Sequence, residues 1–145
     1  MTRINFYIID SGSDEATQLF ICRLTEKAWL QDNAIYIHTP NPQLASQLDE
    51  ELWTFNPASF VPHQLATEET GGKTVLIGHQ ATAHIPNTHH DVLINLDHEI
   101  PSFFSQFERV AEVVTADEVS KEKGRERYRF YKDRGYALET HKLTL

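Results

Sequence analysis

Five residues near the C-terminus have the types and spacing of an anion-recognition surface. Lys121, Arg125, Tyr128, Arg129 and Lys132 stand at offsets of 0, 4, 7, 8 and 11 residues, which at about 100° per residue gathers them onto roughly one third of a helix circumference. The like-charged pairs Lys121/Arg125 and Arg125/Arg129 repel by about 0.2–0.5 kcal/mol each, and a bound anion offsets that cost. Guanidinium groups hold carboxylates bidentately, and Tyr128 adds a flat apolar ring with a hydroxyl. The set suits a peptide that is acidic and carries an aromatic residue or a free C-terminal carboxylate. Single-stranded nucleic acid could use the same groups, and a solvated helix face is the plainest alternative.

Charge balance favours the peptide. Between Lys121 and Arg134, seven basic residues (Lys121, Lys123, Arg125, Arg127, Arg129, Lys132, Arg134) accompany three acidic ones (Glu122, Glu126, Asp133), a local +4. The whole chain is −8, which leaves −12 for the remainder. Phosphates dominate nucleic-acid affinity and repel a body of that charge.

Other motifs with chemical potential fail on context. Thr70-Gly71-Gly72-Lys73-Thr74 has the ending of a phosphate-binding loop. Thr67, however, stands where that loop needs its first glycine, and Val75 to Gly78 reads as strand where a helix must follow. A glycine turn before a strand accounts for it. His79, His84, His89, His90 and His98 crowd the middle of the chain, yet no cysteine joins them and no His-Glu-x-x-His helix is present, so they read as surface loop residues. His38 and His63 carry no stronger case. Cys22 lies within a helical pattern, and Ser11-Gly12-Ser13 lacks the glycine spacing of a dinucleotide site. No Gly-x-Ser-x-Gly elbow occurs either. The sequence assigns no catalytic residue, no metal site and no cofactor.

The elements that must position the basic stripe alternate in type. Ile4 to Asp10 reads as a buried strand, followed by a helix opening at Asp14 and Glu15 with Ala16, Leu19, Phe20, Leu24 and Ala28 on one half of its surface. Ala34 to His38 is a second strand, and Asn41-Pro42 is an N-cap with proline at the first helical position. Residues 54 to 74 read as a long irregular loop containing Phe55, Phe60 and Val61, apolar residues that suggest a covering partner. Val75 to Gly78 and Val92 to Leu96 are apolar runs typical of strands buried on both faces. Pro101 to Phe107 predicts a short helix, Arg109 to Thr115 a strand, and Asp117 to Arg134 a long helix ended by Gly135, with Tyr136 to Leu138 extended.

The expected fold is α/β: a three-layer, Rossmann-like single domain over residues 1–145, with a mainly parallel central sheet. The chain's 145 residues, 40% hydrophobic, leave no room for a second domain. A lone cysteine and the lack of any run of about 18 apolar residues point to a cytoplasmic protein that spans no membrane.

With Leu48-Asp49-Glu50-Glu51-Leu52-Trp53, Ser59-Phe60-Val61-Pro62-His63 and Arg125-Glu126-Arg127-Tyr128 in order, the chain resembles, end to end, the chi subunit of bacterial DNA polymerase III holoenzyme. The resemblance implies a clamp-loader accessory protein in DNA replication, without catalytic activity, associated with the nucleoid through the replisome. It would contact DNA indirectly. Such proteins bridge the clamp loader, through a psi subunit, to the acidic C-terminal tail of single-stranded-DNA-binding protein, which ends in a phenylalanine carboxylate. By matching positions, Lys121, Arg125, Tyr128 and Arg129 would hold that tail, with Val114 as an apolar wall and Lys132 adding charge nearby. Arg129 stands where the best-known relatives have lysine, which keeps the charge and changes the donor geometry. Trp53 and Phe60 match the family's second surface, used for psi and in some members for a repair helicase.

Overall fold

The computed structural model describes residues 1–11, 13–56, 61–66, 75–80, 85–86 and 88–144. Strand β1 (Arg3–Ile9) leads into helix α1 (Asp14–Leu30), strand β2 (Ile35–His38) and helix α2 (Pro42–Thr54). Strands β3 (His63–Leu65), β4 (Val75–Gly78) and β5 (Val92–Asn95) follow, then a single 3₁₀ turn at Phe104–Gln106 and β6 (Arg109–Val114). Helix α3 (Glu118–Asp133) and strand β7 (Ala137–Leu143) complete the series.

Each helix starts where side-chain chemistry satisfies its free amides. Ser13 accepts from the Ala16 amide, Asn41 from Leu44 ahead of Pro42, and Asp117 from Ser120. Helix α3 stops at Gly135, whose φ of +80° only glycine adopts without strain.

The described strands form one seven-stranded sheet, ordered β3-β4-β2-β5-β6-β1-β7. Every neighbouring pair is parallel. Parallel strands are buried on both faces, so their side chains divide into two cores. One core sets Ile35, Ile37, Ile77 and Ile94 against Ile21 and Cys22 of α1 and Ala45, Leu48 and Leu52 of α2. The other sets Ile4, Phe6, Tyr36 and Leu93 against Phe103, Phe107 and Tyr131. These are the three expected layers, and the "mainly parallel" sheet is parallel throughout its described pairs.

Three expectations need correction. The stretch read as irregular between 54 and 74 contains β3, whose His63-Gln64-Leu65 has neither apolar alternation nor β-branched residues to announce it. The last strand runs five residues past Leu138, to Leu143. As a sheet edge it is mostly solvated, so its composition is polar. The helix expected over Pro101 to Phe107 shrinks to the 3₁₀ turn. Phe60, His84 and the Gly71-Gly72-Lys73-Thr74 turn lie outside the described residues.

Candidate anion-binding face of helix α3

Helix α3 is seated by two local devices. Gly124 lies directly over β6, where an added Cβ would come within 2.7 Å of Val114 Cγ2. Beneath the next turn, the Glu112 carboxylate is fully buried and accepts from Arg127 Nε at 2.9 Å, from the Tyr131 hydroxyl at 2.6 Å and from Asn95 Nδ2 at 3.1 Å. Arg127 Nη1 also donates to the His98 carbonyl at 3.1 Å. Burial pushes the Glu112 carboxyl up from its ordinary value, while the Arg127 charge and the three donors pull against that rise. The network joins β5, β6 and α3 and fixes the rotation of the helix about its axis.

That rotation sorts the seven cations counted in the sequence. Arg127 is buried, 4% exposed, and belongs to the core rather than to the charged face. Arg134 folds its guanidinium over the Phe130 ring at 3.6 Å from the centroid, and Lys123 pairs with Glu126 at 3.6 Å. Lys121, Arg125, Arg129 and Lys132 remain, all exposed. Among the described residues, no carboxylate lies within 4 Å of their charged groups.

Tyr128 stands on the flank of this stripe nearest the sheet. It is 37% exposed, with its ring packed edge-on against Phe6 of β1 at 5.4 Å between centroids. The stripe thus has an anchored aromatic ring on one side. Val114, expected as an apolar wall, is 5% exposed and lies beneath Gly124. It supports the face from below and offers little surface of its own.

Sequence reasoning missed Lys142 because β7 was not read that far. In-register pairing sets Leu138, Thr140 and Lys142 opposite Ile4, Phe6 and Ile8, on the α3 side of the sheet. A fifth cation therefore shares this face.

The histidines are mixed. His79 and His98 are exposed as expected, but His89 is fully buried beside the Thr88 hydroxyl, at 2.9 Å, and is no surface residue. His38 and His63 are also buried. His38 Nε2 meets Asp97 at 3.2 Å, and burial lowers its pKa despite that carboxylate. The ring nitrogens of His63 face the carbonyls of Val61 and Asp49 at 2.7 Å each, which ties β3 to α2. Among the described residues, no three His, Cys, Asp or Glu side chains assemble as a metal site. Cys22 is buried, its thiol pushed up to about 12.

The profile of the family described as DNA polymerase III chi subunit, HolC, matches residues 1–139. The chain belongs to this chi family. It is 39% identical over 143 residues to the DNA polymerase III subunit chi of Pseudomonas aeruginosa, covering 99% of this chain and 98% of that one. The chi subunit of Escherichia coli K12 is 30% identical over 145 residues, covering 97% of both chains. The Haemophilus influenzae chi subunit is 30% identical over 139 residues, with 95% of each covered. Membership places the chain in DNA replication, as an accessory subunit of DNA polymerase III.

The crystal structure of T4 UvsW superposes with a TM-score of 0.73 at 8% identity. The match covers 99% of this chain and 42% of that one, a likeness of fold. Among the described residues of this chi-family chain, no helix is long and apolar enough to cross a membrane.

Trp53, the other aromatic singled out in the sequence, is 52% exposed at the end of α2, remote in the fold from α3. Its ring lies 4.5 Å from His63, so the ring is held in place while half of it meets solvent.

Proposed function

We propose that this chi-family chain is a non-catalytic adaptor that holds the acidic C-terminal tail of single-stranded-DNA-binding protein on α3. One observation carries the reading: four exposed cations, none paired with a described carboxylate, run alongside a tyrosine whose ring is fixed against Phe6. Carboxylates of the tail lie along Lys121, Arg125, Arg129 and Lys132, with Lys142 extending the positive field. The terminal phenylalanine packs on Tyr128, above the Val114–Gly124 contact. Its free carboxylate takes the Arg125 guanidinium, whose two parallel donors match it.

The second surface, which carries Trp53 and for which the family resemblance also names Phe60, links the adaptor to the clamp loader through a psi subunit, or in some settings to a repair helicase. An exposed tryptophan held by a buried histidine is the kind of anchored aromatic that dominates interface energies. The protein then works in the cytoplasm at the replisome, reaching DNA through its partners.

Fluorescence anisotropy with a labelled acidic decapeptide ending in phenylalanine tests the reading. A hydrogen bond to a charged group contributes about 1.5–3 kcal/mol, so Arg125→Ala should weaken binding about tenfold or more. Affinity should also fall as salt rises. Binding that survives both changes would sink the proposal. Micromolar binding of oligothymidine at physiological salt, with none of the peptide, would assign the stripe to single-stranded DNA instead.

A further inference from the structure

Parallel sheets are stable where helices cover both faces. On one side of this sheet α3 packs over β6, β1 and β7. On the other side α1 and α2 serve the strands toward β3, and beyond α1 the next helical position is taken by an open cleft of about 470 Å³. Its floor is the second set of side chains on the β1–β7 pair: Tyr7, with His141 stacked on it at 4.9 Å, and Leu143. Its wall is Phe20, Leu24 and Ala28 of α1, all only partly buried. Their i, i+4, i+8 spacing makes one ridge of the kind that fits a neighbouring helix's groove.

The rim has its own chemistry. The outward row of α1 reads Leu19, Arg23, Lys27, Leu30, with Leu19 36% and Leu30 68% exposed. Arg109 of β6 closes the far end, donating to Asn33 Oδ1 at 3.1 Å. Arg23, Lys27 and Arg109 border the cleft along α1 and β6, and Glu139, 3.7 Å from His141, is the carboxylate at its β7 edge, so the α1 side carries the positive charge in a chain whose net charge is −8.

We propose that this cleft docks an amphipathic helix of another protein, with an apolar stripe on one face and Asp or Glu along its flanks. The helix lies beside α1, about 8–10 Å away, and supplies the cover that the sheet lacks at β1 and β7. Its apolar residues, at i, i+3/i+4 and i+7, meet the Phe20–Leu24 ridge and Tyr7. Its carboxylates meet Arg23, Lys27 and Arg109, and further apolar residues reach Leu19 and Leu30. Single-stranded nucleic acid fits less well, because the wall is mainly aliphatic and one face of Tyr7 is already taken by His141. A second copy of this chain would set one basic rim against another. The cleft and the α3 stripe lie on opposite faces of the sheet, so this inference stands apart from the tail-binding one.

The test is an NMR titration of the full ¹⁵N-labelled chain with a designed 20-residue helix carrying leucine at i, i+3, i+4 and i+7 and glutamate on both flanks. Expected are shifts confined to Tyr7, residues 19–31, Arg109, His141 and Leu143, with affinity falling tenfold or more in R23E/K27E. Leu30→Glu, at an exposed position, serves as a second variant should the double one fail to fold. Any of four results overturns the proposal: no shifts, shifts confined to α3, equal binding of a lysine-flanked version, or unchanged affinity in the variants. Oligothymidine shifting the same residues would reassign the cleft to nucleic acid, and dimerisation lost in R23E/K27E would reassign it to self-association.

Discussion

Replacing Glu112 by glutamine should expose how strongly the buried network holds α3. Glu112 is fully buried and Arg127 is 4% exposed, with Nε and Oε1 2.9 Å apart. At an effective dielectric near 20, unit charges at that separation attract by about 6 kcal/mol. The substitution leaves a guanidinium buried without its counter-ion, a change that costs about 3–5 kcal/mol. For a domain with about 5–15 kcal/mol of total stability this is a large fraction. With a urea slope of about 2 kcal/mol per molar, the unfolding midpoint should fall by about 1.5–2.5 M.

The double replacement Glu112→Leu with Arg127→Met removes both charges and should cost far less than the single changes combined, a coupling of at least about 2 kcal/mol. A midpoint shift under about 0.5 M for Glu112→Gln, or strict additivity in the double variant, would refute the reasoning.

Other expectations follow from neighbouring contacts. Gly124→Ala gains about 1 kcal/mol of helix propensity but drives a Cβ to 2.7 Å from Val114 Cγ2. Overpacking of about 1–3 kcal/mol should prevail, with Val114→Ala as the rescue; a stabilised Gly124→Ala in urea unfolding would contradict this. Asp117→Ala removes the α3 cap and should cost about 0.5–2 kcal/mol. Hydrogen bonds from Thr115 and the Ser120 amide hold the Asp117 carboxyl below its ordinary 3.8, so the contribution is present above that pH and lost as pH falls through the folded pKa. A wild-type–variant difference that stays constant down to pH 2 would argue against it. Burial lowers the pKa of His38 from 6.5, so stability should be full above that pH and decline as pH falls toward the folded value. His38→Gln should flatten this slope in thermal scans, and an unchanged slope would show that His38 is not its source.

Most of the fold was legible because its signals are local. Ser13, Asn41-Pro42 and Asp117 announce helix starts by side-chain chemistry, and the Val75 and Val92 runs announce strands by composition. What stayed hidden depends on distant partners. Strand β3 has three residues and no pattern of its own, and β7 is a polar edge that becomes a strand by pairing with β1. The stripe on α3 was readable from helical periodicity alone. The fate of Arg127 was not, since periodicity places it off the stripe but only Glu112, from another element, shows that it is a core residue. Lys142 was missed with the strand that carries it.

The position of β1 has a consequence for how the chain is made. Its two neighbours in the sheet are β6, whose register begins at Arg109, and β7, which ends at Leu143. At about 5–20 residues per second, the apolar segment Arg3-Ile-Asn-Phe-Tyr-Ile-Ile9 waits for about 5–20 s after synthesis before its first partner exists. Such long-range pairing is slow and leaves an aggregation-prone strand open in the interval. The helix carrying the basic stripe and the strand carrying Lys142 are the last elements to emerge, and Phe6 stays uncovered until Tyr128 arrives. Nascent chains in which residues 118–133 have not yet emerged therefore lack the exposed basic stripe of α3.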